Sequence, residues 1–316
     1  MNLSFRMGAI ALLLALLQAC TVNVPITSPN VSTTPYPASG NTIALTWVDG
    51  LASDHQVSQG PLPLKVSYED EPLDGDFFLS NLNAELAARG MDVQLGGQGE
   101  NSLTLRDFSI LHHRVSGFSP MVTISTISAD LATPSGTKRI ATMVKRAKVP
   151  VWSMDEINDP CFNEPIELLV KEMAAKINRE MFDTHLSDET VATLANNIRQ
   201  NLATDSATYI DVYELGFSNN PAAIPALYEF SQNEREYIRL AGISGLGLLG
   251  AEQHLDHLKN IYATSGQWSD RGMALKAIGD IGGAEAMDFL AEAKATWQGD
   301  ESNEAQWNMR IINLYL

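Results

Sequence analysis

RLAGISGLGLLGAEQHLDHL (Arg239–Leu258) and RGMALKAIGDIGGAEAMDFL (Arg271–Leu290) are two copies of one pattern. Arg239 falls on Arg271, Ile243 on Leu275, Leu246 on Ile278, Gly247 on Gly279, Gly250 on Gly282 and Leu258 on Leu290, a period of about 32 residues. Leu and Ile recur at helical spacing, while Ala241, Gly242, Gly245, Ala274 and Ala277 are small enough to let neighbouring helices approach closely. A glycine inside a helix costs near 1 kcal/mol, so close packing must offset it. Gly250 and Gly282 suit the left-handed backbone just past a helix end. A fainter copy precedes these, with Val212, Leu215 and Gly216 ahead of Pro221. The pattern predicts helical pairs over residues 188–217, 221–250, 252–282 and 284–316, the last lacking the small residues, as a capping unit would.

AAIPALYEFSQNEREYIRLAGISGLGLLG (residues 222–250) resembles HEAT-like repeats of the phycobilisome-lyase type. It has an Ile-Pro-Ala-Leu first helix, an arginine near the start of the second, small residues through its middle and Leu-Gly before the exit. The resemblance implies an all-α HEAT-like solenoid over residues 186–316, with a concave surface offered to a protein partner. Glu234, Arg235, Arg239, Asp270 and Arg271, at the turns and starts of the second helices, are the candidate partner-binding residues. A competing reading has Arg239 and Arg271 paired with carboxylates inside the repeats.

Residues 41–185 read differently. Strand-like runs at Asn41–Val48, Pro63–Tyr68, Met91–Leu95, Ser102–Leu111, Met121–Leu131 and Lys138–Lys148 are interrupted by FFLSNLNAELAARG and closed by IELLVKEMAAKINREMF, both helical. The order predicts an α+β domain: an antiparallel sheet with two helices on one face. The stretches LNAELAARGMDV and PIELLVKEMAAKINREM, in this order of elements, resemble the small YajG-type outer-membrane lipoproteins. That resemblance implies an envelope lipoprotein without a catalytic signature. Asp183–Asp188 marks the boundary between the two domains.

At the other end stands LLQACTVNVP, Leu16 to Pro25. Arg6 precedes an apolar run from Met7 to Leu17, shorter than the roughly 20 residues that span a bilayer, in the layout of a secretory signal. Leu17-Gln18-Ala19-Cys20 resembles the bacterial lipobox. The resemblance implies removal of residues 1–19, acylation of Cys20 as the lipidation site, and, with Thr21 rather than aspartate next, delivery to the outer membrane. The periplasmic side is the expected one, and the sequence does not decide between it and the cell exterior. Residues 20–40 lack charge and are rich in Pro, Ser and Thr, which predicts a semi-extended tether reaching up to about 60 Å.

The formal net charge of −17 disfavours nucleic acid as a partner. Two cysteines, Cys20 and Cys161, exclude a disulfide framework and a cysteine zinc site of usual spacing. His254 and His257 stand three apart on an expected helix, and His112 and His113 are adjacent on a strand and so face opposite sides. Neither pair makes a convincing metal site. Gly96-Gly97-Gln98-Gly99 leads into a strand and reads as a turn rather than a phosphate cradle. No Walker loop, dinucleotide fingerprint or nucleophile elbow is present, so neither an enzyme nor a cofactor is expected. The leading expectation is a protein-binding scaffold on the membrane. The alternative is a lipid- or lipopolysaccharide-handling protein with an apolar groove in the α+β domain.

Overall fold

A computed structural model describes residues 21–38, 40–95 and 99–316. The expected leader, Cys20 and the turn residues Gly96, Gly97 and Gln98 lie outside the described residues.

The main sheet takes its strands in the order β6 (Asp92–Leu95), β2 (Thr42–Asp49), β7 (Asn101–His113), β8 (Met121–Thr133), β9 (Gly136–Lys148), with the short β3 (Ser58–Gln59) beside β7. β7, β8 and β9 form the expected antiparallel meander. The rest of the expected sheet needs correction. β2 runs parallel to β6 and to β7, and β3 is parallel to β7, so the sheet is mixed. The cause is the crossover: helix α1 (Gly75–Ala88) carries the chain from β2 to β6, and such a connection makes strands parallel. Asp74 accepts from the Phe77 amide at 2.8 Å to start α1, and Gly90, with φ of +80°, ends it.

Helix α2 (Glu164–Met181) lies beside α1 on one face of the sheet. Phe78 meets Trp47 and Phe108 with ring centroids 6.1 and 6.0 Å apart, and Leu45, Leu82, Leu86, Leu103 and Phe108 are fully buried between the layers.

The segment after residue 20 is a second correction. It is not a free tether. Val22–Pro25 forms β1, parallel to β4 (Leu64–Tyr68), which also pairs with β5 (Glu71–Pro72). Val24, Ile26 and Tyr36 are buried. Side chains far along the chain then hold the backbone: Asn163 accepts from the Thr27 amide, Glu167 from that of Asn30, and Glu85 from that of Ser32. Polar termini supplied by the body replace the water that an uncharged Pro-rich strand would otherwise use.

The C-terminal region is helical and built of pairs: α3 (Asp188–Asn201) with α4 (Thr208–Gly216), α5 (Ile224–Phe230) with α6 (Glu236–Leu248), α7 (Leu255–Thr264) with α8 (Trp268–Ile281), and α9 (Gly283–Trp297) with α10 (Asn303–Ile312). The second helices α4, α6, α8 and α10 pack in a row, each on the next, with the first helices outside. The small residues set this spacing. A Cβ on Gly247 would stand 2.4 Å from Ala277 Cα, and one on its repeat equivalent Gly279 would stand 2.5 Å from the Tyr315 ring.

The inner row curls around the β9 edge of the sheet. α4 meets α2 through Glu214, α6 reaches β9 through Tyr237, and α10 crosses the opposite face, where Arg310 reaches Asp107 of β7 and Gln59 of β3. β9 is consequently buried on successive residues from Ile140 to Arg146. As an edge strand it has outward backbone groups, and side chains cap them: Tyr237 Oη accepts from the Ala147 amide and donates to its carbonyl, both at 3.0 Å, and Lys176 donates to the Ala141 carbonyl.

Candidate interaction surface

The five candidate partner-binding residues stand along one ridge, but four are engaged within the helical region. Arg239 donates to both carboxylate oxygens of Asp270 at 3.0 Å and to the carbonyls of Asn233 and Glu234. Arg271 repeats the arrangement one unit later, pairing with Glu304 at 2.6 Å and capping the Ser265 carbonyl. Arg235 caps the carbonyls of Leu202, Asp205 and Ser206. The guanidiniums thus staple each unit to its neighbour, and their planar forks suit that task. Glu234 enters through its backbone carbonyl, and its side chain stays on the surface.

The side of the inner helical row expected to receive a partner meets the sheet and α2. Its lining helices, α6 and α8, are buried around almost their whole circumference because the sheet, α2 and the outer helices enclose them. Three charged clusters bridge this contact. Arg89 binds Glu85 at 2.7 Å within α1 and Glu214 of α4 at 2.9 Å, beneath Tyr36, whose hydroxyl donates to the Phe217 carbonyl. Lys145 binds Glu236 at 2.6 Å and lies over Trp268, while Arg146 binds Glu164 at 2.7 Å and stacks on Tyr209 and Tyr237.

The third cluster is the deepest. Glu172 and Lys176 on α2, and Lys276 and Asp280 on α8, are each one helical turn apart and face one another. Lys176 lies 2.8 Å from Glu172 and 2.6 Å from Asp280; Lys276 lies 2.5 Å from Glu172 and 2.8 Å from Asp280. Ser244 and Tyr315 complete the shell at 2.7 Å each. Burial pushes the Asp280 carboxyl up, but the two ammoniums outweigh it and hold the group below the usual range. Burial likewise pushes Lys276 down, and the Asp280 and Glu172 carboxylates more than reverse this. At Lys176 burial outweighs the Asp280 and Glu172 carboxylates and holds the ammonium below its usual range.

Sequence reasoning missed this cluster. The signal was present: Lys276 occupies the repeat position held by Ser244, a charge where the other copy has a small residue.

Other candidates resolve as structural parts. Cys161 is buried, its thiol pushed up to about 12 by burial, so a reactive thiolate is disfavoured. His254 and His257 pack on the Tyr228 ring at 4.4 and 4.8 Å, and His257 meets Ser231 at 3.0 Å. His112 is buried on the sheet face that α2 covers, while His113 meets the Trp307 ring at the other face. No group of three or more His, Cys, Asp or Glu that could hold a metal occurs among the described residues. The apolar groove expected between sheet and helices is filled by the side chains named above. The cavities lie at the surface instead, among them one of about 470 Å³ beside His55, Val57 and Leu73, and a shallow one of about 360 Å³ between α3 and α5, lined by Ala192, Ala195, Ala222 and Pro225.

No protein-family model matches this chain, and no curated protein matches it. Among solved structures it is similar to a minor lipoprotein from Acinetobacter baumannii, with 10% identity over 46% of this chain and 96% of that one, at a TM-score of 0.31. It is also similar to an uncharacterized protein, with 17% identity over 51% of this chain and 99% of that one, again at a TM-score of 0.31. Among the described residues, no helix is long and apolar enough to cross a membrane.

Proposed function

We propose that this chain is a lipid-anchored protein of a bacterial envelope, acylated at Cys20 and held at the outer membrane on its periplasmic side, and that it works by contact with a protein partner. The observation that carries the reading is the junction itself. Leu17-Gln18-Ala19-Cys20 marks a cleavage and acylation point, and β1 begins at Val22, two residues later. Two residues span no more than about 7 Å, so the folded body is held against the bilayer and does not stand off on a long tether. Three acyl chains at about 0.8 kcal/mol per buried methylene make release negligible, whereas one chain alone binds only marginally.

The four helical pairs are HEAT-like in this reading, and their inner row has the chain's own sheet domain as its ligand. The face left for a partner is the outer one, where the small residues between α3 and α5 leave a shallow groove and the flanking helices carry polar side chains. Replacing Cys20 by serine tests the anchor. The variant should lose label from radioactive palmitate and leave the membrane fraction, and retention of both would refute the proposed attachment. Crosslinking in cells through Asn196 and Ala222, beside that groove, should capture a reproducible protein, and failure to do so would remove the scaffold role.

A further inference from the structure

Among the described residues, the most exposed large hydrophobic side chains gather at one end of the sheet. Phe118 is 95% exposed, Trp152 82%, Val115 78% and Val149 56%. They belong to two loops, residues 114–120 between β7 and β8, and residues 149–153 after β9. Arg114 joins the loops: its Nη2 donates to the Gly117 carbonyl at 2.5 Å and to the Val151 carbonyl at 3.5 Å. Both carbonyls are in reach of one nitrogen, so Phe118 and Trp152, the residues that follow them, are brought together. Ser119 Oγ accepts from the amides of Val115 and Ser116 at 3.0 and 2.8 Å, which ties down the first loop. These apolar side chains are therefore presented outward by an ordered platform. Four exposed apolar side chains on one tip mark an interaction site rather than ordinary surface.

The position of β1, which begins two residues after the proposed acylation site, says what covers it. The Val22 amide donates to the Pro63 carbonyl at 2.9 Å, and three residues before Pro63 stands Gly60, packed so closely on His112 that a Cβ would lie 2.2 Å from the His112 carbonyl oxygen. Two residues beyond His112 is Arg114. At 3.8 Å per residue, this path puts Val22 within about 30 Å of Arg114, at the base of the tip. Direction agrees. After β1 the chain descends along α2, from Asn163 to Glu167, away from the tip, while the far end of α2 is marked by the Lys138–Glu180 pair. The Val22 end of β1 is therefore its end nearer the tip.

We propose that Val115, Phe118, Val149 and Trp152 form a second membrane contact, an apolar tip that enters the same leaflet as the acyl chains on Cys20. The inference rests on the lipid anchor proposed above. Aromatic side chains favour the interfacial zone of a bilayer, and one anchor leaves a body free to swivel. The tip would fix its orientation, with the Lys138–Glu180 end of the sheet turned to the aqueous side. Because the contact is apolar, it should be insensitive to salt.

The test uses the full-length chain, produced with its leader, purified in detergent and reconstituted into vesicles of phosphatidylethanolamine and phosphatidylglycerol. Phe118→Cys, Trp152→Cys and, as control at the opposite end, Ser135→Cys are each labelled with an environment-sensitive fluorophore. Mass spectrometry of the same samples reads acylation at Cys20. At positions 118 and 152 the emission should move to the blue, with severalfold stronger quenching by nitroxide-bearing acyl chains than at 135, and with quenching by aqueous iodide largely lost. An acylated protein whose 118 and 152 labels behave like the one at 135 overturns the tip contact and leaves the anchor standing. Labels shielded from both quenchers would mean that protein covers the tip, which overturns it too. A chain not acylated at Cys20 removes the anchor and this inference together.

Discussion

Two seams hold this molecule together, and they are made of different materials. Between the sheet and α1 and α2 lies hydrocarbon, with Leu45, Phe78, Leu82 and Phe108 fully buried. Between that layer and the inner helical row lie paired charges: Arg89 with Glu214, Lys145 with Glu236, and the Glu172, Lys176, Lys276 and Asp280 cluster. Hydrocarbon is indifferent to small slips, since any apolar neighbour of suitable size will do. Buried ions are not, because a displaced charge loses its partner in a medium that cannot solvate it. The dry seam supplies attraction, and the ionic seam specifies where the helical row sits.

Breaking the ionic seam on one side should give the largest effect. Lys276→Ala leaves Glu172 and Asp280 sharing one ammonium in a closed interior, and urea unfolding should report a loss of about 3–5 kcal/mol. Phe108→Ala on the dry seam should cost a similar 3–5 kcal/mol by leaving a cavity. The two differ in repair: replacing Lys276 and Asp280 together by Met and Leu should restore much of the loss, since matched apolar groups carry no unpaired charge. A double variant as weak as the single one would show that the charges are needed for more than their own neutrality.

Acid separates the seams by a different route. On the dry side, burial and then the neighbouring His113 hold the His112 ring down at about 4, against 6.5 for a free imidazole. Below 6.5 the unfolded chain therefore takes up a proton that the folded one refuses. Stability contributed here is full above about 6.5 and falls as the pH drops toward 4, with a slope of at most about 1.4 kcal/mol per pH unit. His112→Gln should flatten that stretch of the curve. Asp280 behaves otherwise: its folded pKa is depressed, so its contribution persists above the unfolded carboxylate range and is lost only below it. A His112→Gln protein with an unchanged acid slope between 6.5 and 4 would place the proton elsewhere.

The smallest effect belongs to the outer surface. Arg199 and Glu229 join α3 to α5 at 2.7 Å, but both side chains are substantially exposed. Arg199→Ala should cost no more than about 1 kcal/mol, and less in high salt. A loss as large as that at Lys276 would remove the distinction between surface and seam.

What the sequence disclosed follows from the same contrast. The repeat was legible because Gly247 and Gly279, and Gly250 and Gly282, must recur wherever a helix meets its neighbour or ends. β7, β8 and β9 were legible as runs between turns. The parallel placing of β2 was not, because strand direction depends on which side of the sheet a crossover lands. β1 was hidden in an uncharged Pro-rich stretch whose partners, Leu64 to Ser67, Asn163 and Glu85, lie far along the chain. The ionic seam was hidden for a related reason. Glu172 and Lys176 look like an ordinary surface pair until α8 brings a second pair against them, and no local period records that meeting.

Closed by that buried cluster, the helical row and the sheet domain should unfold as one cooperative body. Hydrogen exchange followed peptide by peptide through a urea titration reads this out. Amides in residues 121–148 of the sheet and residues 236–281 of the inner helices should lose protection together, at one urea concentration, and Lys276→Ala should move both by the same amount. Helices that open at lower urea while the strands stay protected would contradict it.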